Sequence, residues 1–139
     1  FDHTADIGVE IFGRTKKDQF AHAAFALFDI MIQDTGNKGK ANRKTGERVK
    51  IRTVNGVDVE DLLINFLREL LYLFNGTGWV VDHCEIMECR NTRLVVKLLV
   101  EPYNKNKHSI NTEIKAITYH GLSVGRIKNG WKARVILDV

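Results

Sequence analysis

The sequence predicts an α+β fold, in which mixed or antiparallel-rich β-sheets pack against two main helices. Two segments, about 15–32 and 58–75, carry apolar residues at helical spacing. The segments between and after them alternate like strands, and several of these follow one another closely near the end of the chain. A length of 139 residues is enough for one buried core, so we expect a single domain over residues 1–139.

Both helices have start signals and an apolar stripe. Thr15 and Asp18 have the spacing of a capping box, and Asp58 is a candidate cap for the second helix, which Asn75 and Gly76 are expected to end. The stripes are Phe20, Ala24, Leu27, Phe28 and Met31 in the first helix, and Val59, Leu62, Leu63, Phe66, Leu67, Leu70, Leu71 and Phe74 in the second. Such stripes are typical of core packing, and the wide second stripe is expected to lie across a sheet.

A strand is predicted directly after Asp6, and four later segments are also predicted to be strands: "RVKIRTV", "RLVVKLLVE", "EIKAITYHGLSVGRI" and "WKARVILDV". In "RVKIRTV", Val49, Ile51 and Thr53 are expected to share one face. Asn129 and Gly130 predict a hairpin turn between the last two strands. The polar stretch 33–47 and the segment "EPYNKNKHSINT" are predicted to be exposed loops.

The amino-acid composition limits the classes of protein to which the chain can belong. The chain is 44% apolar and 27% charged, as in ordinary globular proteins, and no apolar run reaches the ~18–20 residues of a membrane span. Cys84 and Cys89 are five apart, which places them on opposite faces of one strand, so we expect reduced thiols and a cytoplasmic protein. Because Phe1 is not an initiator methionine, whether residues precede it stays open.

The chain is mildly basic, with a net charge of +4 and a pI of about 9.1. Much of this charge lies in the stretch "NKGKANRKTGERVK", which includes residues 38–48. Basic loops of this kind allow contact with RNA without requiring it, so direct tRNA contact is left open.

The sequence has no phosphate-binding glycine loop, no zinc-type cluster and no nucleophile elbow. Three short stretches carry concentrated ionisable chemistry instead: "DHTADIG", "EIKAITYH" and "VILDV". Carboxylates gathered in one place repel one another unless a cation or a lysine compensates, and hard oxygen donors suit Ca²⁺, Mg²⁺ or Mn²⁺ rather than zinc. Each stretch also has a structural explanation: Asp6 can cap a turn, Lys115 can be a solvated strand residue, and Asp138 can lie at a frayed end. Only the folded structure can show whether the two ends of the chain meet.

In "EIKAITYH", Glu113 and Lys115 are expected to share one strand face, with His120 at the end of the strand. In "VILDV", Asp138 is next to the last residue, which would place its side chain beside the carboxylate of Val139 if the chain ends there.

Taken together, "DHTADIG", "LLINFLRELLYLF", "EIKAITYH" and "LDV" resemble the archease family, in family order and over essentially the whole chain. Two features depart from the family pattern. The loop "GNKGKANRKTGE" is longer and more basic, and Gly121 follows "ITYH" where a bulkier or acidic residue is common.

The resemblance implies a cytoplasmic, non-catalytic activator of the RtcB-type RNA ligase in tRNA splicing. Such a protein promotes guanylylation of the ligase and multiple turnover. The resemblance also implies a divalent metal site with oxygen ligands, calcium first and magnesium or manganese as alternatives, and no membrane partner.

By the same resemblance, the metal ligands are Asp6, Asp138 and a backbone or terminal oxygen of Val139. Lys115 is the accompanying basic residue on which ligase activation depends. The residues expected to support or orient these groups are His3, Glu113 and His120.

The sequence leaves two other functions open. One is a chaperone or specificity modulator of a tRNA-modifying enzyme, such as a tRNA methyltransferase, which would need no metal. The other is a small metal-dependent hydrolase that uses Asp6 and Asp138, although the sequence offers no convincing general base.

Overall fold

The computed structural model describes residues 6–34 and 47–139. These residues form two helices and eight strands, which confirms the α+β prediction. In chain order they are β1 (Asp6–Gly13), α1 (Lys16–Met31), β2 (Ile32–Asp34), β3 (Arg48–Asn55), α2 (Val59–Thr77), β4 (Trp79–Cys89), β5 (Arg93–Pro102), β6 (His108–Ile110), β7 (Ala116–Ile127) and β8 (Gly130–Asp138).

The strands form three antiparallel sheets. The first has the order β1-β8-β7, the second has the order β3-β5-β4, and β2 pairs with β6. Helix α1 packs against β1 and β4, and α2 packs against β7 and β4. The core lies between the helices and the inner faces of the two larger sheets, and its largest fully buried side chains include Phe20, Phe66, Leu98 and Ile117.

Both helices begin where their caps predict. The Thr15 hydroxyl accepts the Asp18 amide hydrogen over 3.1 Å, and the Asp58 carboxylate accepts that of Asp61 over 2.8 Å. The predicted end of α2 at Asn75 and Gly76 is wrong, because the helix continues to Thr77.

Gly78 ends α2 instead. It adopts a left-handed φ of 80°, and its amide N–H bonds back to the carbonyls of Leu73 and Phe74. A helix stops at the glycine whose backbone turns left-handed, and Gly76 keeps helical geometry.

Strand β4 overturns the expectation for the two cysteines. Cys84 pairs with Leu98 and Cys89 with Leu94, and a β-bulge lies between them. The extra residue of the bulge reverses the alternation, so both thiols face the core side although they are five apart. Both cysteines are free, as expected. Along the strand they are separated by about 13 Å, which is too far for a disulfide.

Strand β3 alternates as predicted, but its aliphatic face is the exposed one. Val49 and Ile51 are 57% and 51% exposed. The opposite face carries Lys50, whose ammonium lies 4.9 Å from the centre of the Trp79 ring, and Arg52, which pairs with a glutamate of α2. The stems of these long side chains cover apolar surface there, as amphipathic residues can.

Strands β7 and β8 form the predicted hairpin, but its turn residues are Lys128 and Asn129, one position earlier than expected. The register of β7 breaks between Thr118 and Ser123, so His120 lies inside the strand, and its predicted place at the end of the strand is wrong. Gly121 sits in this irregular segment with a φ of +73°, which explains a glycine at this position.

The segment predicted as the exposed loop "EPYNKNKHSINT" contains β6, and His108 in it is only 2% exposed. The prediction was wrong because the segment pairs with β2, a contact that a polar composition conceals. Most of the basic stretch 38–48 lies outside the described residues. Neither helix of the described chain is long and apolar enough to cross a membrane.

Candidate functional site

The two ends of the described chain meet at one end of the first sheet, where β1 begins and β8 finishes. Asp6 in β1 pairs with Asp138 in β8, and Ala116 in β7 pairs with Asp138 from the other side. Residues directly opposite one another in antiparallel strands point to the same face, with Cβ atoms about 4.5–5.5 Å apart. The carboxylates of Asp6 and Asp138 therefore project side by side from the same end of the sheet.

The Asp138 carboxylate is incompletely satisfied. Its Oδ1 atom is buried and has no hydrogen-bond partner among the described residues. Its backbone carbonyl, in contrast, accepts the amide hydrogen of Lys115 over 2.7 Å. A buried carboxylate oxygen without a partner is costly, and a second carboxylate opposite it adds repulsion. A cation at this edge would relieve both penalties.

Lys115 lies directly before β7, and the chain on both sides of it is anchored. Ile114 and Ile117 are each 1% exposed. From α2, Asn75 Nδ2 donates to the Ile114 carbonyl over 3.0 Å. Arg68 donates to the Ile117 carbonyl through Nε and Nη2, over 3.1 and 2.8 Å. The helix thus holds the backbone of Lys115 next to Asp138.

Arg68 makes a second set of contacts on the same surface. Its guanidinium carbon lies 4.9 Å from the centre of the Tyr119 ring, and the Tyr119 hydroxyl donates to Asp61 in the first turn of α2. This hydrogen bond holds the pKa of the Asp61 carboxyl below its usual value and raises that of Tyr119.

Nothing in the sequence marks Arg68 or Asn75 as part of the candidate site. Their spacing of seven residues places them on the same side of α2, and this was the available signal. However, polar residues on a helix are ordinarily solvated, and only the packing of α2 against β7 gives these two a role.

The structure brings together only part of the predicted site. Asp6, Asp138 and the backbone of Lys115 lie together, and Val139 follows Asp138 directly. Glu113 and Lys115 precede β7, so the expectation that they share a face of a strand is wrong.

His3 lies outside the described residues, and within residues 6–34 and 47–139 no three Asp, Glu, His or Cys side chains form a metal-binding group. The supporting roles of His3, Glu113 and His120 therefore stay predictions.

The residues present nevertheless fit a hard divalent cation. Two adjacent carboxylates, one with an orphaned buried oxygen, are the donor type that Ca²⁺, Mg²⁺ and Mn²⁺ prefer. They supply only part of the about six to eight oxygens that Ca²⁺ takes. The remainder would come from Val139, from water or from a partner.

A second ionisable cluster was not predicted at all. Glu101 in β5 is only 5% exposed, and the Lys107 ammonium donates to both of its carboxylate oxygens over 3.0 Å. His108 Nε2 lies 3.4 Å from Glu101. His108 Nδ1 accepts the amide hydrogen of Asn104 over 3.0 Å, which leaves Nε2 as the ring nitrogen that faces Glu101.

Asp82 in β4 shares a proton with Glu101. Burial and the hydrogen bond to Glu101 raise the pKa of Asp82 to about 7. Burial also acts to raise the pKa of Glu101, but the hydrogen bonds from Asp82 and Lys107 outweigh it, so this pKa lies below its ordinary value. The cluster therefore balances its own charge.

Asp82 also lines a groove of about 730 Å³ between α1 and β4. Phe25 and Asp29 of α1 form part of the opposite wall, and Cys84 lies on the same wall as Asp82. Burial raises the pKa of the Cys84 thiol to about 12, so it stays protonated and unreactive at neutral pH.

Comparison with known proteins gives consistent matches over the full length of the chain. The family model described as Archease protein family (MTH1598/TM1083) matches residues 1–139. A protein archease of Methanosarcina acetivorans is 36% identical over 142 residues, covering 99% of this chain and 92% of that protein. A protein archease of Pyrococcus furiosus is 35% identical over 144 residues, covering 100% and 96%.

Two solved structures share the fold. The crystal structure of an archease from Thermotoga maritima, described as a possible chaperone, has a TM-score of 0.69 and 25% identity, and the match covers 100% of this chain and 94% of that chain. The solution structure of Methanobacterium thermoautotrophicum protein 1598 has a TM-score of 0.68 and 28% identity, covering 100% and 96%.

Proposed function

Because this chain belongs to the archease family, we propose that it activates an RtcB-type RNA ligase in tRNA splicing. In this proposal it promotes guanylylation of the ligase and multiple turnover. The chain itself is not the enzyme. It acts in trans, in the cytoplasm, by presenting charged groups to the active site of the ligase.

The observation that carries the proposal is the pairing of Asp6 with Asp138 beside the anchored backbone of Lys115. Three segments that are far apart in sequence supply these groups to one edge of the first sheet. An edge with carboxylates and a lysine side by side can approach a site that handles phosphates and their metal ions.

A divalent cation, calcium first, would be held by Asp6, Asp138 and an oxygen of Val139. When bound, such an ion supplies positive charge that stabilises phosphate oxygens. The two aspartates keep the cation at the end of the sheet. The hydrogen bond from the Lys115 amide to the Asp138 carbonyl holds the last strand in register there.

Lys115 would contribute the second positive charge. Its side chain begins at a backbone position that α2 and β8 fix from several sides. An ammonium presented from a fixed backbone loses less conformational freedom when it meets an anion, so it neutralises phosphate charge more effectively.

The proposal predicts that Asp138→Asn abolishes ligase activation without unfolding the protein. The substitution removes the charge of the orphaned carboxylate but keeps its size, so the melting temperature should stay equal or rise. The measurement is guanylylation of the RtcB-type ligase from the same organism, followed by the number of RNA molecules joined per ligase.

Asp29→Asn is the matched control, because Asp29 is an exposed carboxylate on α1, far in the chain from the site. It should leave activation unchanged. In calcium titrations, the wild-type protein and the control should gain thermal stability as ligand binding stabilises the folded state, and Asp138→Asn should gain less. Full multiple-turnover ligation by both Asp138→Asn and Asp6→Asn would refute the proposal.

A second candidate function is suggested by the Thermotoga maritima structure, whose description calls that archease a possible chaperone. By that analogy, this chain would modulate a tRNA-modifying enzyme, such as a tRNA methyltransferase, through protein contact alone. Such an effect would persist in the presence of a metal chelator and in the Asp138→Asn variant.

A further inference from the structure

Three turns that are distant in sequence meet at the end of the first sheet opposite Asp138. They are the β1–α1 turn (13–18), the β4–β5 turn (88–93) and the β7–β8 turn (126–132), which we call the basic pole. A Cβ atom on Gly130 would lie 2.2 Å from the Gly13 carbonyl oxygen, so the first and third turns are in tight contact. Lys16 donates a hydrogen bond to Asn91, which joins the first turn to the second.

The basic pole concentrates positive charge. Its first turn contributes Arg14, Lys16 and Lys17, and its second contributes Arg90 and Arg93. The third adds one arginine and two lysines, so that the three turns hold eight basic residues against two acidic ones. Their formal charge of +6 exceeds the +4 of the entire chain.

The acidic residues of the basic pole leave most of this charge uncompensated. Glu88 lies 3.1 Å from Arg90 and 3.4 Å from Arg93, while the Arg90 side chain remains 75% exposed. Asp18 is the other acidic member. Beyond the pole, Glu10 pairs with Lys132 over 3.3 Å, and Lys132 remains 42% exposed.

The position of two of these lysines is itself unfavourable for folding. Lys16 and Lys17 occupy the first two positions of α1. The positive end of the helix dipole repels cations there. An external anion would turn this repulsion into attraction, because it would meet both the lysines and the helix end.

Aromatic rings are interleaved with the cations. Lys16 Nζ lies 5.4 Å from the centre of the Trp131 ring, and the Arg126 guanidinium lies 5.6 Å from it. Phe12 is 50% exposed on β1, and Lys132 Nζ lies 5.8 Å from its ring. An exposed ring such as that of Phe12 next to basic side chains suits nucleic acid, since bases stack on rings while phosphates meet the cations.

We propose that the basic pole binds single-stranded RNA through its phosphate backbone, with a base stacked on an aromatic side chain. The choice of RNA among polyanions rests on the proposed function, in which the ligase joins RNA. An acidic protein surface would match the charge, but it would leave the exposed Phe12 ring without a stacking partner.

The position of the basic pole on the first sheet suits RNA binding. Phe12 and Asp6 project from the same outward face of β1, six residues apart, which corresponds to about 20 Å along the strand. RNA held at the basic pole would therefore leave the opposite edge, with Asp138 and Lys115, free to face the ligase.

The test is binding of a labelled 20-nucleotide single-stranded RNA to the full chain, followed by fluorescence anisotropy between 50 and 200 mM KCl. The double variant Arg126→Glu/Lys128→Glu should bind at least about 10-fold more weakly at the lowest salt concentration. Its plot of log affinity against log salt should be shallower by about 1.4, since each lost contact to a single strand contributes about 0.7.

The control is Lys97→Glu/Lys105→Glu, which makes the same change in charge at exposed positions outside the basic pole. It should bind within about 3-fold of wild type. Equal weakening by both variants, or by neither, would overturn the proposal. Polyglutamate binding as tightly as the RNA would do the same, because it would show a general polyanion site.

A fluorescence experiment locates the RNA. Trp79→Phe leaves Trp131 as the sole tryptophan, and its emission should change when the RNA binds. Binding with unchanged emission would place the RNA elsewhere and overturn the proposal. Guanylylation of the ligase without RNA should be normal in Arg126→Glu/Lys128→Glu, so a failure at the basic pole is distinguishable from a failure of the proposed activation.

Discussion

Asp138 and Glu101 show how differently two buried carboxylates can be accommodated. Glu101 is nearly inaccessible, but Lys107 donates to both of its oxygens and Asp82 shares a proton with it. Asp138 has a buried oxygen without a partner among the described residues and faces another aspartate. The charge of Glu101 is therefore compensated within the described fold, whereas Asp138 has no such compensation among the described residues.

The raised pKa of Asp82 predicts that the free energy of unfolding depends on pH. Its pKa is about 7 in the folded protein, above the value of 3.8 expected for an exposed aspartate. Below pH 4 the folded and unfolded states are both protonated, but between pH 4 and 7 only the folded state keeps the proton. The stabilising contribution of Asp82 is thus fully present near pH 4 and is lost as pH rises through 7.

Asp82→Asn should remove this dependence, because the amide can donate to Glu101 at every pH. The variant should gain about 1–2 kcal/mol over wild type between pH 5 and pH 8.5, less than the full pKa shift implies, since the side chain is still partly exposed and solvent screens it. Urea unfolding at both pH values measures the gain. Asp29→Asn, across the groove, should show no such gain. Parallel pH profiles of stability for wild type and Asp82→Asn would contradict the raised pKa of Asp82.

The charged groups that act on Asp82 are Glu101, Lys107 and the nearby Glu47.

At the scale of elements, α2 serves both the core and the site. One face buries a continuous row that includes Leu63, Phe66 and Leu70. The adjoining positions Arg68 and Asn75 hold the carbonyls on either side of Lys115. A largely buried helix thereby determines where the side chain of Lys115 starts.

The end of α2 gives a prediction at this scale. Gly78→Ala should destabilise the protein by about 1–2 kcal/mol, because alanine is strained at φ +80° although no atom lies within 4 Å of the added Cβ. Thermal and urea unfolding measure the loss.

Gly76→Ala is the comparison, since Gly76 is helical and the atoms nearest to a methyl group there belong to the ring of the exposed Tyr72, which can move. Alanine favours the helix by about 0.5–1 kcal/mol over glycine, so this variant should be nearly neutral or stabilised. A larger loss at Gly76 than at Gly78 would show that the helix ends earlier than described.

At the scale of the whole molecule, the first sheet has chemically opposite ends. One end carries Asp6 and Asp138, and the other carries the basic pole. Antiparallel pairing of the first and last strands creates this arrangement, because it places the start of β1 beside the end of β8. The two proposed ligands, the ligase and RNA, would therefore be contacted at opposite ends of the same sheet.

The packing of the basic pole predicts the effect of Gly130→Ala. The new methyl group would overlap the Gly13 carbonyl, 2.2 Å away, and the φ of 152° is unfavourable for alanine. The loss should be about 2 kcal/mol or more, measured by urea unfolding, and RNA binding should weaken as the turns separate.

Gly125→Ala, in the same hairpin, is the matched control because no atom lies within 4 Å of its added Cβ. It should change stability by less than about 1 kcal/mol. If Gly130→Ala were as stable as Gly125→Ala, the two turns would not be in the contact described.

The sequence by itself determined the fold class, the two helices and most of the longer strands, whereas the residues of the candidate metal site stay a prediction from the family resemblance. Local periodicity and capping depend on near neighbours, so the pattern around Phe20 or Leu67 suffices to predict a helix. The family motifs, in turn, ranked Asp6 and Asp138 above the other acidic residues.

Only the tertiary structure decided that Asp6 lies opposite Asp138, that Cys84 and Cys89 share a side, and that Glu101 is neutralised by Lys107. Each of these depends on the register between strands far apart in the chain or on a bulge, which shifts the alternation by one residue. The basic pole belongs to the same class, because its three turns are each unremarkable in sequence and acquire their charge density only by meeting.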